Sequence, residues 1–191
     1  MAANRRMGSQ DSATSQAILD GAERVLQSRG YGAITSRSVA VETGVKHQLV
    51  YYYFQNIDDL LLAAFKRRMD RGIARLKRDA LSDRPIRAIW QDLNQSIDAL
   101  LDFEYMALAN HHEGVRQEIV RFQSEARALQ IAIIEKIYNR KGIDPDRLPA
   151  DALAFLLTHT SMALVREKGT GFTVGHNAIN VLMERLLTFL D

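Results

Sequence analysis

Cysteine is absent from the 191 residues, which removes disulfides, thiolate nucleophiles and thiolate-bound zinc and fits a reducing compartment. Proline occurs only three times, so long stretches are free to be helical. No apolar run approaches the roughly 18 residues that would cross a bilayer. The opening stretch, MAANRRMGSQDSATSQ, carries arginines but no apolar block of the ~7–15 residues that a secretory signal needs. These absences predict a cytoplasmic protein with no membrane partner. Also missing are an internal repeat, a low-complexity tract, a glycine-rich phosphate loop and any nucleophile–base arrangement of workable spacing. The expectation is therefore no catalytic residue, no cofactor and no metal. His111-His112-Glu113 invites a metal reading, but adjacent histidines on a helix diverge by ~100° and do not converge on one ion.

What is present is the balance of a globular chain, 47% hydrophobic and 25% charged, with a formal net charge of only +2. Charge distribution says more than the total. Up to residue 60 acids and bases match in number; from Lys66 to Arg87 nine lysines and arginines face three aspartates. That run reads as the solvated face of a helix rather than as a groove for nucleic acid.

Apolar periodicity is helical throughout, which makes the fold class all-α with about nine helices. Ile18, Ala22, Val25 and Leu26 define a first helix closed by Arg29-Gly30. Thr35 or Ser36 caps a short second one carrying Val39 and Ala40, and Gly44 stops it. A third helix runs from about Lys46 to Tyr53 or Phe54. Asn56 caps a fourth with Asp58 and Asp59 in its first turn, where the helix dipole favours negative charge. A fifth begins at Pro85 and carries Ile86, Ile89, Trp90, Leu93, Ile97 and Leu100. A sixth spans roughly Tyr105 to His112. The seventh uses Ile119 to Ile137, the eighth Leu153 to Leu164, and the ninth places Ile179, Leu182, Met183, Leu186, Leu187 and Leu190 on one face. VYYYF, residues 50–54, is the only run with strong β-propensity, and its helical neighbours argue against a lone strand.

Two short helices joined by a glycine-containing turn form a helix-turn-helix, whose second helix can lie in the DNA major groove. Three consecutive tyrosines cannot all face inward on a helix. With Val45, Val50 and Phe54 directed to the core, Lys46, His47, Gln48, Tyr51 and Tyr52 fall on the open side. Lysine can donate to guanine O6 and N7, glutamine pairs with adenine N6 and N7, and tyrosine packs on a thymine methyl or reaches a phosphate.

The stretch from about Ser15 to Phe65 resembles the DNA-binding region of the TetR family of bacterial transcriptional regulators. It does so through Gly30-Tyr31, Thr35, Val39-Ala40, Gly44-Val45, Val50-Tyr51-Tyr52-Tyr53-Phe54 and Asn56-Ile57-Asp58-Asp59-Leu60-Leu61. The resemblance implies that Arg37 contacts base or phosphate. It implies phosphate contacts for the head of the second helix at Thr35 and Ser36, for Tyr52 and Tyr53, and for the start of helix four. Three positions depart from the family pattern: Ile57 replaces a lysine, Lys46 a serine and Tyr53 a histidine. Backbone affinity would then lean on Arg5 and Arg6 in the N-terminal arm.

The resemblance further implies residues 1–58 as the DNA-binding domain and 59–191 as a helical effector-binding and dimerisation domain. The chain would be a repressor, released from a palindromic operator by a small molecule. Trp90, Tyr105, Met106, Phe122, Phe155, His159 and Met162 are the candidates for lining an effector site, with Thr160 and Arg166 as further polar groups. The homodimer is expected through residues 149–168 and 176–190. An all-helical small-molecule-binding protein or enzyme that reuses the fold without sequence-specific DNA binding is the alternative.

Overall fold

The computed structural model describes residues 12–95 and 99–191. Arg5, Arg6 and Ile97, all given roles above, lie outside the described residues, as does the Leu100 side chain. Among the described residues there are nine α-helices, one 3-10 turn and no strand. By packing, the chain divides into two compact units: residues 1–69 with 101–118, and residues 70–100 with 119–191.

The first unit opens with α1 (Ala13–Arg29), started by Ser12, whose Oγ accepts the Ser15 N–H at 3.2 Å, and stopped at Gly30. A 3-10 turn at Tyr31–Ala33 leads to α2 (Ser36–Thr43). Thr35 and Ser38 form a reciprocal cap: Ser38 N–H donates to Thr35 Oγ1 at 3.0 Å, and Thr35 N–H donates to Ser38 Oγ at 2.9 Å. Gly44, at φ 72°, takes the left-handed turn that a side chain would resist. Helix α3 (His47–Tyr53) follows, and α4 (Ile57–Asp79) begins where Asn56 Oδ1 accepts the Asp59 N–H at 2.8 Å. VYYYF is helical up to Phe54, as its neighbours required.

Val25, Leu26, Val39, Val50, Phe54, Leu60 and Leu61 close the core of this unit. Residues 101–118 supply Leu101, Tyr105, Leu108 and Val115 to the same unit, and the Tyr105 ring lies 4.6 Å from that of Phe65. Close approach of α1 to α2 depends on Gly21, where an added Cβ would sit 2.2 Å from Thr43 Cγ2. Arg67 ties α4 to α1 through Gln16 Oε1 (2.8 Å), Asp20 (2.7 Å) and Glu23 (3.0 Å).

The remaining helices are α5 (Pro85–Gln95), α6 (Ala99–Ala109), α7 (Glu113–Lys141), α8 (Ala150–Thr170) and α9 (His176–Leu190). Helix α6 starts earlier and ends earlier than periodicity suggested. The break falls at Asn110–His111, and His112 Nδ1 accepts the Val115 N–H at 3.2 Å, so α7 begins six positions ahead of Ile119. The histidine pair is thus a helix-start feature. In the second unit α5 packs on α8 and α9 over a core of Ile86, Ile134, Ile137, Tyr138, Leu153, Leu157, Met183 and Leu187. Arg87 joins α5 to the end of α9, with Nε 2.6 Å from Asp191 and Nη1 2.6 Å from Glu184. Those two hydrogen-bonded carboxylates raise the Arg87 pKa above the ordinary guanidinium value. His176 meets Glu167 at 3.0 Å and ties the head of α9 to the end of α8.

The basic run of α4 is ion-paired. Lys66 meets Glu118 (3.5 Å), Arg75 meets Asp92 (3.3 Å), Lys77 meets Glu125 (3.4 Å) and Arg78 meets Asp79 (3.0 Å). A face neutralised in this way is a solvated surface held by local pairs, each worth about 0–1 kcal/mol.

Candidate nucleic-acid interface

Helix α3 has seven residues and two distinct sides. Val50 is fully buried and Phe54, just beyond the helix, is 1% exposed, so these two pin it to the three-helix core. His47, Gln48, Tyr51 and Tyr52 are exposed at i, i+1, i+4 and i+5, which places them on one face. Lys46, also exposed, is the residue from which the helix starts. Tyr51 and Tyr52 keep 52% and 51% of their surface open. Large aromatics are seldom left so open on a small core without something to pack on. Tyr53 is half-buried and braces Tyr52 edge-on, with ring centroids 5.0 Å apart.

The scaffold that presents this face follows from local sequence. Gly44 turns the chain between α2 and α3, Val45 is half-buried beneath the turn, and the reciprocal cap fixes the head of α2. Arg37 is exposed on α2, whereas Ser36 is 7% exposed, so these neighbours point to opposite sides. Thr35 is exposed, and its hydroxyl already serves the cap. The structure brings Lys46, His47, Gln48, Tyr51 and Tyr52 together at one surface and leaves Ser36 beneath it.

Charge distinguishes this surface from α4. Residues 45–57 contain no acid. Among the described residues neither Arg37 nor Lys46 has a carboxylate partner, while Arg24 and Arg29 on α1 are held by Glu42 at 2.8 and 3.6 Å. Unpaired cations beside amide and phenol groups suit a polyanion whose edges carry hydrogen-bond donors and acceptors.

The effector candidates do not form one cluster. Tyr105 is 1% exposed in the core of the first unit, and Met106 beside it is exposed. Trp90 packs against the core of the second unit; Phe122 and Met162 are half-buried there. Phe155 and His159 lie outside on α8, stacked at 3.9 Å, with the Arg127 guanidinium 5.3 Å above the Phe155 ring. Thr160 is half-buried and Arg166 exposed. The buried polar residues of α7 and α8 are instead Gln130 and Ser161, which the sequence reading passed over. Ser161 three residues after Thr158 on an apolar face was the available signal. Among the described residues no group of three metal-ligating side chains occurs.

The family described as bacterial regulatory proteins, tetR family, matches residues 18–64, the stretch that builds this surface. Over those residues the chain is similar to the DNA-binding region of the TetR family. A fatty acid metabolism regulator protein of Bacillus subtilis (strain 168) is 34% identical over 62 residues. That match spans 32% of this chain and 32% of the relative, about a third of each. Salmonella enterica GusR has the same fold at a TM-score of 0.72 and 15% identity, covering 95% of this chain and 96% of that one. FadR from Bacillus subtilis in complex with stearoyl-CoA aligns at TM-score 0.59 and 20% identity, covering 92% and 96%. A transcriptional regulator from Rhodococcus sp. Rha1 aligns at 0.68 and 19%, covering 92% of each chain. At these identities the structures establish the fold alone. The all-α architecture with a helix-turn-helix at its start is as expected, and the curated relative and two of these three structures carry the names of regulators.

Proposed function

We propose that the chain is a DNA-binding transcriptional repressor that releases a palindromic operator when a small molecule binds. The observation carrying this reading is the acid-free surface of α3, with Lys46, His47, Gln48, Tyr51 and Tyr52 turned outward while Val50 and Phe54 anchor its back. Lys46 and Gln48 read base edges, Tyr51 packs on a thymine methyl, and Arg37, Thr35, Tyr52 and Tyr53 hold phosphates. Residues 1–58 do this work. Residues 59–191 bind the effector and pair two copies, and the protein acts in the cytoplasm as a binding protein, not a catalyst. Among the described residues no helix is long and apolar enough to cross a membrane.

Support for pairing through residues 149–168 and 176–190 comes from large apolar side chains left open there. Phe155 and Leu156 on α8 and Val181, Leu182 and Phe189 on α9 are all exposed in the single chain. A twofold pair would bury them against their copies and present two α3 helices to major grooves ~34 Å, or a multiple of that, apart. The effector favours the conformation in which that spacing is wrong, lowering operator affinity by a coupling of ~1–3 kcal/mol. Similarity to a fatty acid metabolism regulator and to FadR bound to stearoyl-CoA names long-chain acyl compounds as the first class to try.

Selection of genomic fragments by the purified protein, at 50 and 200 mM salt with competitor DNA, tests the reading. Enrichment of an inverted repeat whose binding weakens with salt is expected. Recovery of fragments without a shared sequence would refute operator recognition.

A further inference from the structure

Helices α7 and α8 meet at a polar pair inside the second unit. Gln130 Nε2 donates to Thr158 Oγ1 at 3.1 Å, and the same hydroxyl donates back to Gln130 Oε1 at 3.2 Å. Gln130 is 5% exposed, and this exchange uses one of its two amide hydrogens and one side of its carbonyl. One turn along α8, on the face that carries Thr158, Ser161 is 1% exposed and its Oγ has no hydrogen-bond partner among the described residues.

Ser15 is buried in the same way, but it stands in the first turn of α1, where no carbonyl four residues back belongs to the helix; Ser161 lies well inside α8. A serine or threonine inside a helix ordinarily returns its hydroxyl to the carbonyl four residues earlier. Ser28, Thr43, Ser124 and Thr188 all do so, at 2.7, 2.8, 2.7 and 2.9 Å. Ser161 does not, although Leu157 lies four residues before it. A hydroxyl withdrawn from water and from its own helix is costly to keep unless something else engages it.

We propose that Gln130, Thr158 and Ser161 are the polar recognition point of the effector site, taking one uncharged hydrogen-bonding group of an otherwise apolar molecule. The inference rests on the effector reading above and specifies the chemistry of its ligand. The spare capacity comprises the Ser161 hydroxyl and the remaining N–H and carbonyl lone pair of Gln130, all neutral. Around them Ile134, Ala154 and Leu157 are buried, and Ile131 and Ile133 pack on the same core. Among the described residues the one charged group buried in this unit is Asp79, which Arg78 already partners. Arg127, one turn before Gln130, stands over the Phe155 ring. A carboxylate brought to this point would lose its hydration, and Arg127 would have to leave the Phe155 ring to offset that loss, whereas an ester, thioester or amide carbonyl needs only the donors that are there.

Dodecanamide, dodecanoyl-CoA and dodecanoate, at equal concentration and pH 8, separate the possibilities. Thermal melting of the full chain and the fluorescence of Trp90, the sole tryptophan, report binding. The amide and the thioester should raise the Tm of the wild type, with dodecanoate binding at least tenfold more weakly. Ser161→Ala should melt at or above the wild type without ligand, because it removes an orphaned hydroxyl, and should bind the amide about tenfold more weakly. Thr158→Val should weaken it likewise, and gives a second variant should one fold poorly. Dodecanoate binding as well as the amide, or both variants responding as the wild type does, would overturn the assignment. No response of the wild type to any probe would sink the acyl effector itself, and this assignment with it, while leaving operator recognition standing.

Discussion

At the scale of single residues, the DNA-reading surface proposed for α3 would separate side chains that specify from those that only hold. Lys46→Ala and Gln48→Ala each remove a base-edge partner and should cost about 1–3 kcal/mol on the preferred duplex, with little change on random DNA. Tyr53→Phe keeps the ring that braces Tyr52 and removes only a hydroxyl; it should weaken both duplexes alike. Equilibrium titrations of matched and scrambled duplexes distinguish these outcomes, and equal losses for all three variants would contradict the contact roles. Tyr138 offers a residue-scale test of the core. Its hydroxyl is buried without a partner among the described residues, and desolvation raises its pKa above the ordinary 10.0. The unfolded chain therefore releases this proton first: stability from Tyr138 is intact below pH 10 and falls as pH rises further, toward the folded pKa. Tyr138→Phe should melt no lower than the wild type at pH 8 and lose less stability between pH 10 and 11.

At the scale of elements, capping and close approach set the reading head. Gly21→Ala puts two effects in opposition. Helix propensity favours alanine by about 1 kcal/mol, but the new Cβ would fall 2.2 Å from Thr43 Cγ2. Thr43 cannot yield freely, since its hydroxyl is bound to the Val39 carbonyl at 2.8 Å. Overpacking of about 1–3 kcal/mol should win, lowering the urea midpoint and weakening operator binding as α2 shifts. This contact was not legible in the sequence, because nothing local marks a mid-helix glycine as a crossing point. The helices of the reading head were legible, since Thr35, Gly44 and Asn56 carry their own local chemistry and Val50 and Phe54 their own period. The α6–α7 junction was not: it depends on a histidine capping α7, a job more often done by serine, threonine, aspartate or asparagine. The orphaned Ser161 was equally hidden, because whether a helical serine bonds its own backbone is decided by packing around it.

At the scale of the whole molecule, the proposal needs two copies. Leu182→Glu, with Phe155→Glu as a second variant, places a charge on the exposed apolar faces of α9 and α8 and should shift the protein from a dimer to a species of 21.6 kDa in sedimentation. Operator affinity should fall with it, since each reading head would then bind its half-site alone. Unchanged mass in both variants would place the pairing surface elsewhere.

The most direct measurement is methylation of guanine N7, an atom exposed in the major groove, on the selected duplex with and without bound protein. Two protected clusters whose centres lie about one helical turn, or a small multiple of it, apart should appear, and Gln48→Ala together with Lys46→Ala should erase them. Full N7 reactivity in the saturated complex would mean that α3 never enters the groove.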